Sequence, residues 1–260
     1  MGWLLIVLSV IVLWIASLFK ISHTSSLRSK TYFLNNAFES SGARKKNVLL
    51  VIAHPDDESM FFSPTINYLI SRGHNLHVLC LSNGNADGMG SARKHELFKA
   101  CAVLKVSLEQ VKVVDNPNLQ DGFGQVWDHN LLGQIIQEEA YKHGTEVVIT
   151  FDNYGVSGHC NHCDVHYGVR KLVRENAHGI EAWELVSINI LRKYSGPVDI
   201  WLSMLLATKK SSTETHCVLN EHPRKSFQAM GAHSSQWVWF RKLFVSFSSY
   251  TYVNTLRRIK

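Results

Sequence analysis

From Asn47 onward, short apolar runs alternate with stretches whose apolar residues recur at helical spacing. The runs Val48–Ala53, Leu76–Leu81, Val111–Val114 and Glu146–Phe151 predict strands, and the stretches around Ser59–Ser71, Ser91–Lys105 and Asn130–Lys142 predict helices. Turn residues punctuate them, "RGHN" before the second strand and His143-Gly144 before the fourth. Strand and helix in alternation imply right-handed crossovers, hence an α/β fold: a Rossmann-like, mostly parallel sheet with helices on both faces. Beyond Glu181 the pattern is less regular; strands are expected near Ala182–Leu191 and Asp199–Ser203, then a final helical or irregular segment rich in aromatics.

The amino terminus follows a different pattern. Gly2–Phe19 carries no charge and approaches the roughly 20 residues that cross a bilayer as a helix. A signal peptide calls for a basic start, a shorter apolar stretch and a small-x-small cleavage site, and no Lys or Arg precedes this run, which favours an uncleaved single-pass anchor. Lys20, Arg28, Lys30, Arg44, Lys45 and Lys46 all follow the span, so the expected orientation leaves the rest of the chain in the cytosol. The expected organisation is an anchor over 1–20, a Ser- and Asn-rich linker over 21–46, and one folded domain over 47–260.

Composition narrows this picture only slightly. A hydrophobic content of 45% supports a substantial core, and a net charge of +6 suits anionic partners such as phosphate head groups or nucleic acid, or no partner at all. Five cysteines, spaced unlike a secreted disulfide framework, favour a reducing compartment.

Parallel sheets bind ligands outside the carboxyl ends of their strands, and two polar clusters fall there. One is His54-Pro55-Asp56-Asp57-Glu58 after the first strand; the other is "SGHCNHCDVH", Ser157 to His166, after the fourth. Imidazole and carboxylate together are typical zinc ligands, and a catalytic site keeps three of them with one position open. His54 and Asp57 lie on a tight turn entering a helix, and one of His159 and His162 would complete a His, Asp, His set. Asp56 is then a spare carboxylate placed to act as general base, and the second histidine of the pair could polarise a carbonyl or protonate a leaving amine. Each residue also has a plainer reading, as a surface histidine or as an acid favouring a helix start. Cys160 and Cys163 lack the second pair that a closed zinc site needs and read as packing residues, with redox chemistry the lesser alternative; His166 reads as a surface residue, with support of the ligands from behind as its alternative.

"AHPDDE" at Ala53–Glu58 with "GVSGHCNH" at Gly155–His162 resembles the zinc-dependent de-N-acetylases of N-acetylglucosamine conjugates. Supporting segments are "LSNGNADGMGSARKHEL", "DNPNLQDG", "TFDNYGVSGHCNH" and "AHSSQWVWFRKLFVSFSSY", so the resemblance covers nearly the whole domain. It implies zinc bound by His54, Asp57 and His162, Asp56 as general base, and His159 as the electrophilic or acid group. It makes Arg93 a candidate contact for phosphate or sugar, and it gives His233 a substrate-side or structural role. Some bacterial relatives carry an acid where this chain has Asn161. The match is closer to members that act on a glycolipid, N-acetylglucosaminyl-phosphatidylinositol, in the second step of GPI-anchor biosynthesis. That implies an endoplasmic reticulum membrane as the setting and no nucleic-acid partner. A de-N-acetylase of a soluble conjugate shares the same constellation, and a non-catalytic membrane-anchored module would be expected to have lost part of it. The aromatic carboxy terminus, with Trp237, Trp239, Phe240, Phe244 and Tyr250, suits either a membrane interface or a packed core.

Overall fold

The apolar runs after Asn47 form the centre of a seven-stranded sheet in the computed structural model, which describes residues 2–24, 33–34, 44–122, 124–175, 179–209 and 214–260. The elements in chain order are α1 (Gly2–Thr24), β1 (Asn47–Ile52), α2 (Asp57–Met60), α3 (Ser63–Ser71), β2 (Asn75–Cys80), α4 (Gly90–Val103), β3 (Val111–Val113), α5 (His129–Lys142) and β4 (Val147–Phe151). They continue with α6 (Gly155–Gly158), α7 (Cys160–Glu175), β5 (Glu181–Leu185), α8 (Ile190–Lys193), α9 (Asp199–Lys209), β6 (Thr215–Leu219), α10 (Pro223–Ala232), α11 (Trp239–Phe247) and β7 (Val253–Arg258). The strand order is β3-β2-β1-β4-β5-β7-β6. β1 to β5 run parallel, while β7 is antiparallel to both β5 and β6.

β1 shows why a continuous apolar run is needed. Val48, Leu50 and Ile52 point into a core beneath α3, α4 and α10, whereas Leu49 and Val51 point into a second core beneath α5 and α7. A strand covered on both faces has no solvent side, so alternation disappears and the run reads as all apolar. The chain winds from β1 outward through β2 to β3, then returns to β4 on the other side of β1. The order therefore reverses between β1 and β4, and the loops leaving these two strands open onto one crevice.

Several elements depart from expectation. The helix expected around Ser59–Ser71 is broken into α2 and α3, with Pro64 in the first turn of α3, where its missing N–H costs nothing. The strand expected over Ala182–Leu191 stops at Leu185, because Asp152 takes the Ser187 N–H at 2.7 Å and Asn189 caps α8. The strand expected over Asp199–Ser203 is instead the start of α9: "DIWLSMLLATK" is rich in Leu, Met and Ala, which favour helix, and a short apolar run alone does not tell the two apart. β6 and β7 were not anticipated. The apolar amino-terminal helix runs on to Thr24, past the expected end of the anchor at 20, and most of the linker expected over 21–46 lies outside the described residues. Phe33 is nevertheless fully buried against Trp183, and its carbonyl accepts the Tyr68 hydroxyl.

Candidate metal centre

The turn after β1 builds half of the site. Asp57 opens α2, and its Oδ2 accepts the backbone N–H groups of Ala53 at 3.0 Å and His54 at 2.8 Å. This locks the carboxylate against the strand end and leaves Oδ1 facing His162 Nε2 at 3.2 Å. Asp56, just before, sits at φ 118°, a left-handed conformation that a non-glycine residue holds only when its surroundings impose it. The imposing group is Glu58, fully buried, whose Oε2 accepts the Asp56 N–H while Oε1 accepts from Ser59 Oγ and lies 2.6 Å from His233 Nε2.

The segment after β4 builds the other half. His162 lies in the first turn of α7, its ring stacked on Phe151 at 4.0 Å with only 1° between planes, and its Nδ1 is 3.1 Å from the Gly155 carbonyl. Gly155 cannot be anything larger: a Cβ there would come within 2.9 Å of the His162 Cβ, and its φ is +55°. His159 stands one residue before α7 with its ring 4.8 Å from that of His162 and 4.9 Å from that of His54. Donor atoms of His54, His159 and His162 all lie within 4.8 Å of one another. The two loops thus meet as expected, and Asp57 adds a carboxylate oxygen to the three imidazoles.

The charges around them are set by burial and by each other. Burial pushes the His54 imidazole down to about 4, against the pull of Asp57, so that ring is neutral at physiological pH. Burial likewise lowers His159. Burial alone would raise Asp57, yet His162, His54 and the backbone N–H bond hold it well below the usual carboxylate range, and Asp57 in turn raises His162. Asp56 is different: burial and the neighbouring Asp57 outweigh Arg241 and Arg93 and push it up to about 6. A carboxylate of that basicity is still ionised near neutrality and accepts a proton more readily than an ordinary one.

Three residues singled out from sequence are held inside the protein. Arg93 donates to the carbonyls of Gly84 and Pro55 and to Asp121 Oδ2, each at 2.9 Å, and lies 3.7 Å from Asp56. It organises the turn that carries Asp56. His233 is fully buried and reaches Asp56 only through Glu58. His166, expected at the surface, is buried with Nδ1 at 3.2 Å from both the Phe151 carbonyl and Glu184.

Other contacts went unforeseen. Asp121 Oδ1 lies 3.1 Å from His54 Nε2, and Arg241, from α11, lies 3.1 Å from Asp56 Oδ2. Asn161 is buried with Oδ1 at 3.1 Å from His54 Nε2, so it touches His54 rather than orienting His159. Asp121 lies in the polar stretch "DNPNLQDG" beyond β3, so the rule that sites gather at the carboxyl ends of strands would have found it. Nothing local marks Arg241, which arrives from the far end of the chain.

A doubly wound sheet with imidazole and carboxylate donors converging at its switch point is the framework of an α/β protein able to hold a metal ion there. The fold is shared with the N,N'-diacetylchitobiose deacetylase of Pyrococcus horikoshii, at a TM-score of 0.61 and 14% identity over 92% of this chain and 91% of that one. Residues 49–173 match the family model described as GlcNAc-PI de-N-acetylase. The chain is 39% identical to the N-acetylglucosaminyl-phosphatidylinositol de-N-acetylase of Bos taurus, over 80% of this chain and 81% of the relative. A Dictyostelium discoideum relative, which bears the same name with the qualifier "probable", is 37% identical over 87% of this chain and 98% of its own length. The chain belongs to the GlcNAc-PI de-N-acetylase family, a family of deacetylases.

Proposed function

We propose that the protein hydrolyses the N-acetyl group of N-acetylglucosaminyl-phosphatidylinositol, giving glucosaminyl-phosphatidylinositol and acetate, the deacetylation step of GPI-anchor biosynthesis. The observation that carries this reading is the meeting of His54, Asp56, Asp57, His159 and His162 in one crevice of a chain so similar to relatives of that name.

The residues fit a divalent metal, and zinc suits the donor set. Two neutral or neutralisable imidazoles and a carboxylate fixed by backbone N–H bonds form the usual nitrogen and oxygen shell, and the third imidazole stands beside it. His54, Asp57 and His162 are assigned as the ligands, with the proton on the Asp57–His162 pair being what a cation replaces on binding. Bound there, zinc supplies Lewis-acid polarisation of the amide carbonyl and acidifies water. Asp56 takes the proton from the attacking water; its position beside Asp57 and its raised pKa suit it to that role. His159, the least buried of the three histidines, is open to the amide and steadies charge as it develops or passes a proton to the leaving amine. Arg93 and Arg241 keep Asp56 from rising further and so keep it ionised.

α1 is assigned as a membrane span, with the catalytic domain on the cytosolic face of the endoplasmic reticulum. Residues Gly2–His23 form a helix of mean hydropathy 2.7, long and apolar enough to cross a bilayer. An anchored enzyme meets a lipid-borne sugar by diffusion in two dimensions. The deciding experiment is acetate release from N-acetylglucosaminyl-phosphatidylinositol and from a water-soluble analogue, each with and without chelator. Release that stops with chelator and returns with zinc is expected; no release from either substrate would refute the reading.

A further inference from the structure

α9 and α11 touch α1, and together with the neighbouring α8 they expose large apolar side chains. On α8 Leu191 is 84% exposed; on α9 Leu205 is 50%; on α11 Trp239 and Phe240 are 72% and 53%. Soluble surfaces tolerate such residues singly, but a contiguous patch marks a surface that meets something apolar. We infer that α8, α9 and α11 form a bilayer-docking face that sinks into the headgroup and upper acyl region beside α1.

The identity of the occupant follows from how α1 is packed. Trp14 meets Phe247 of α11 at 5.9 Å and Tyr252 at 6.2 Å, and Ser17 Oγ accepts from Trp201 Nε1 of α9 at 2.9 Å. Ile21 is buried with Ile200 and Val253. These positions lie inside the span. Trp14 is nine residues before His23, about 14 Å along the helix axis, so the groups against it sit at the depth of the membrane itself. Interfacial helices sink by roughly 5–10 Å, and elements fastened to this part of α1 reach a comparable depth.

Composition agrees. Asp199 is the one acid on the three helices, and it is buried in an ion pair with Arg192, so no exposed acid on them opposes an anionic surface. Lys242 Nζ lies 5.5 Å over the Trp237 ring, a pairing of cation and indole that suits an anionic headgroup layer. α11 also joins this face to the chemistry: from the same helix that exposes Trp239 and Phe240, Arg241 reaches Asp56 at 3.1 Å. Docking therefore holds the mouth of the crevice at the level where a lipid-linked sugar emerges.

The inference rests on α1 crossing the bilayer, and the test separates the two. The full-length chain is placed in nanodiscs of phosphatidylcholine and phosphatidylserine with a polarity-sensitive fluorophore on Phe240→Cys, Leu205→Cys, Ile6→Cys or Leu108→Cys, and the signal of the identically treated parent is subtracted. Leu108, exposed beside the far sheet edge at β3, reports a surface away from lipid. Doxyl-labelled lipid is expected to quench positions 240, 205 and 6 but not 108. Quenching at 6 alone overturns the docking face, with two chains per disc assigning it to a second copy and one chain leaving it to water. No quenching at 6 overturns the anchor and the inference together. In parallel, the Phe240→Ser, Leu205→Ser double variant is expected to lose at least about tenfold in rate on vesicle-borne glycolipid, since two apolar side chains no longer enter the lipid, while keeping the parent rate on the soluble analogue. Equal rates for variant and parent on both substrates would also overturn the inference.

Discussion

The two halves of the sheet contribute to the site in different ways. The parallel half, β1 to β5, delivers the groups able to bind metal, from turns where a strand ends and the next helix begins. The carboxy-terminal part, from β6 to β7 with α10 and α11, delivers supports. His233 holds Glu58, Arg241 faces Asp56, and Ser234 and Ser235 donate to Glu96 of α4 at 2.6–2.8 Å. Asn254 of β7 accepts from the Thr65 hydroxyl at 2.6 Å. Reactive groups need local geometry, which a strand end provides cheaply; keeping a strained, buried acid in place needs groups from elsewhere in the chain.

Breaking the first half should cost activity outright. His54→Ala or His162→Ala is expected to lose both bound metal and turnover, read by elemental analysis beside the deacetylation assay, and a variant that keeps its metal would refute the ligand assignment. Asp57→Asn against His159→Ala sharpens it: metal content should fall in the first and persist in the second. Asp56→Ala should retain metal yet lose roughly 10²- to 10⁴-fold in kcat, the usual value of a general base; parental turnover would remove Asp56 from the mechanism.

Breaking the second half should first cost stability. His233→Ala leaves the Glu58 carboxylate buried without its imidazole, a loss of about 3–5 kcal/mol in denaturant unfolding if the pair behaves like other buried ion pairs. An unchanged midpoint would show that Glu58 needs no such partner. Arg241→Met removes a cation that lowers the Asp56 pKa, so that pKa, already about 6, should rise. Activity should then fall by about tenfold near neutrality and recover as pH increases, with metal content unaltered; a parental pH profile would dissociate Arg241 from Asp56. Ser235→Ala, which removes one donor to Glu96, should cost about 1 kcal/mol and leave kcat alone.

Legibility followed the same division. His54, Asp57, His159 and His162 were visible because their types and spacings recur at predicted strand ends, and the parallel strands were visible because burial on both faces erases alternation. Glu58 carries no local sign of its role, yet it is wholly enclosed, and its imidazole partner lies 175 residues away. His166 and Arg241 were misjudged or missed for the same reason. The aromatic tail divides as no local rule could foresee: Phe244 and Tyr250 are buried, whereas Trp239 and Phe240 are exposed.

The amino-acid sequence by itself determined an apolar helix, an alternating α/β core and two polar clusters, because periodicity and turn chemistry are properties of neighbours. Only the tertiary structure decided that β7 turns antiparallel to complete the sheet, that α9 is helix rather than strand, and which distant groups enclose Asp56 and Glu58. Those outcomes depend on desolvation and charge pairing between residues far apart in the chain, and such energies exist only once the chain has folded.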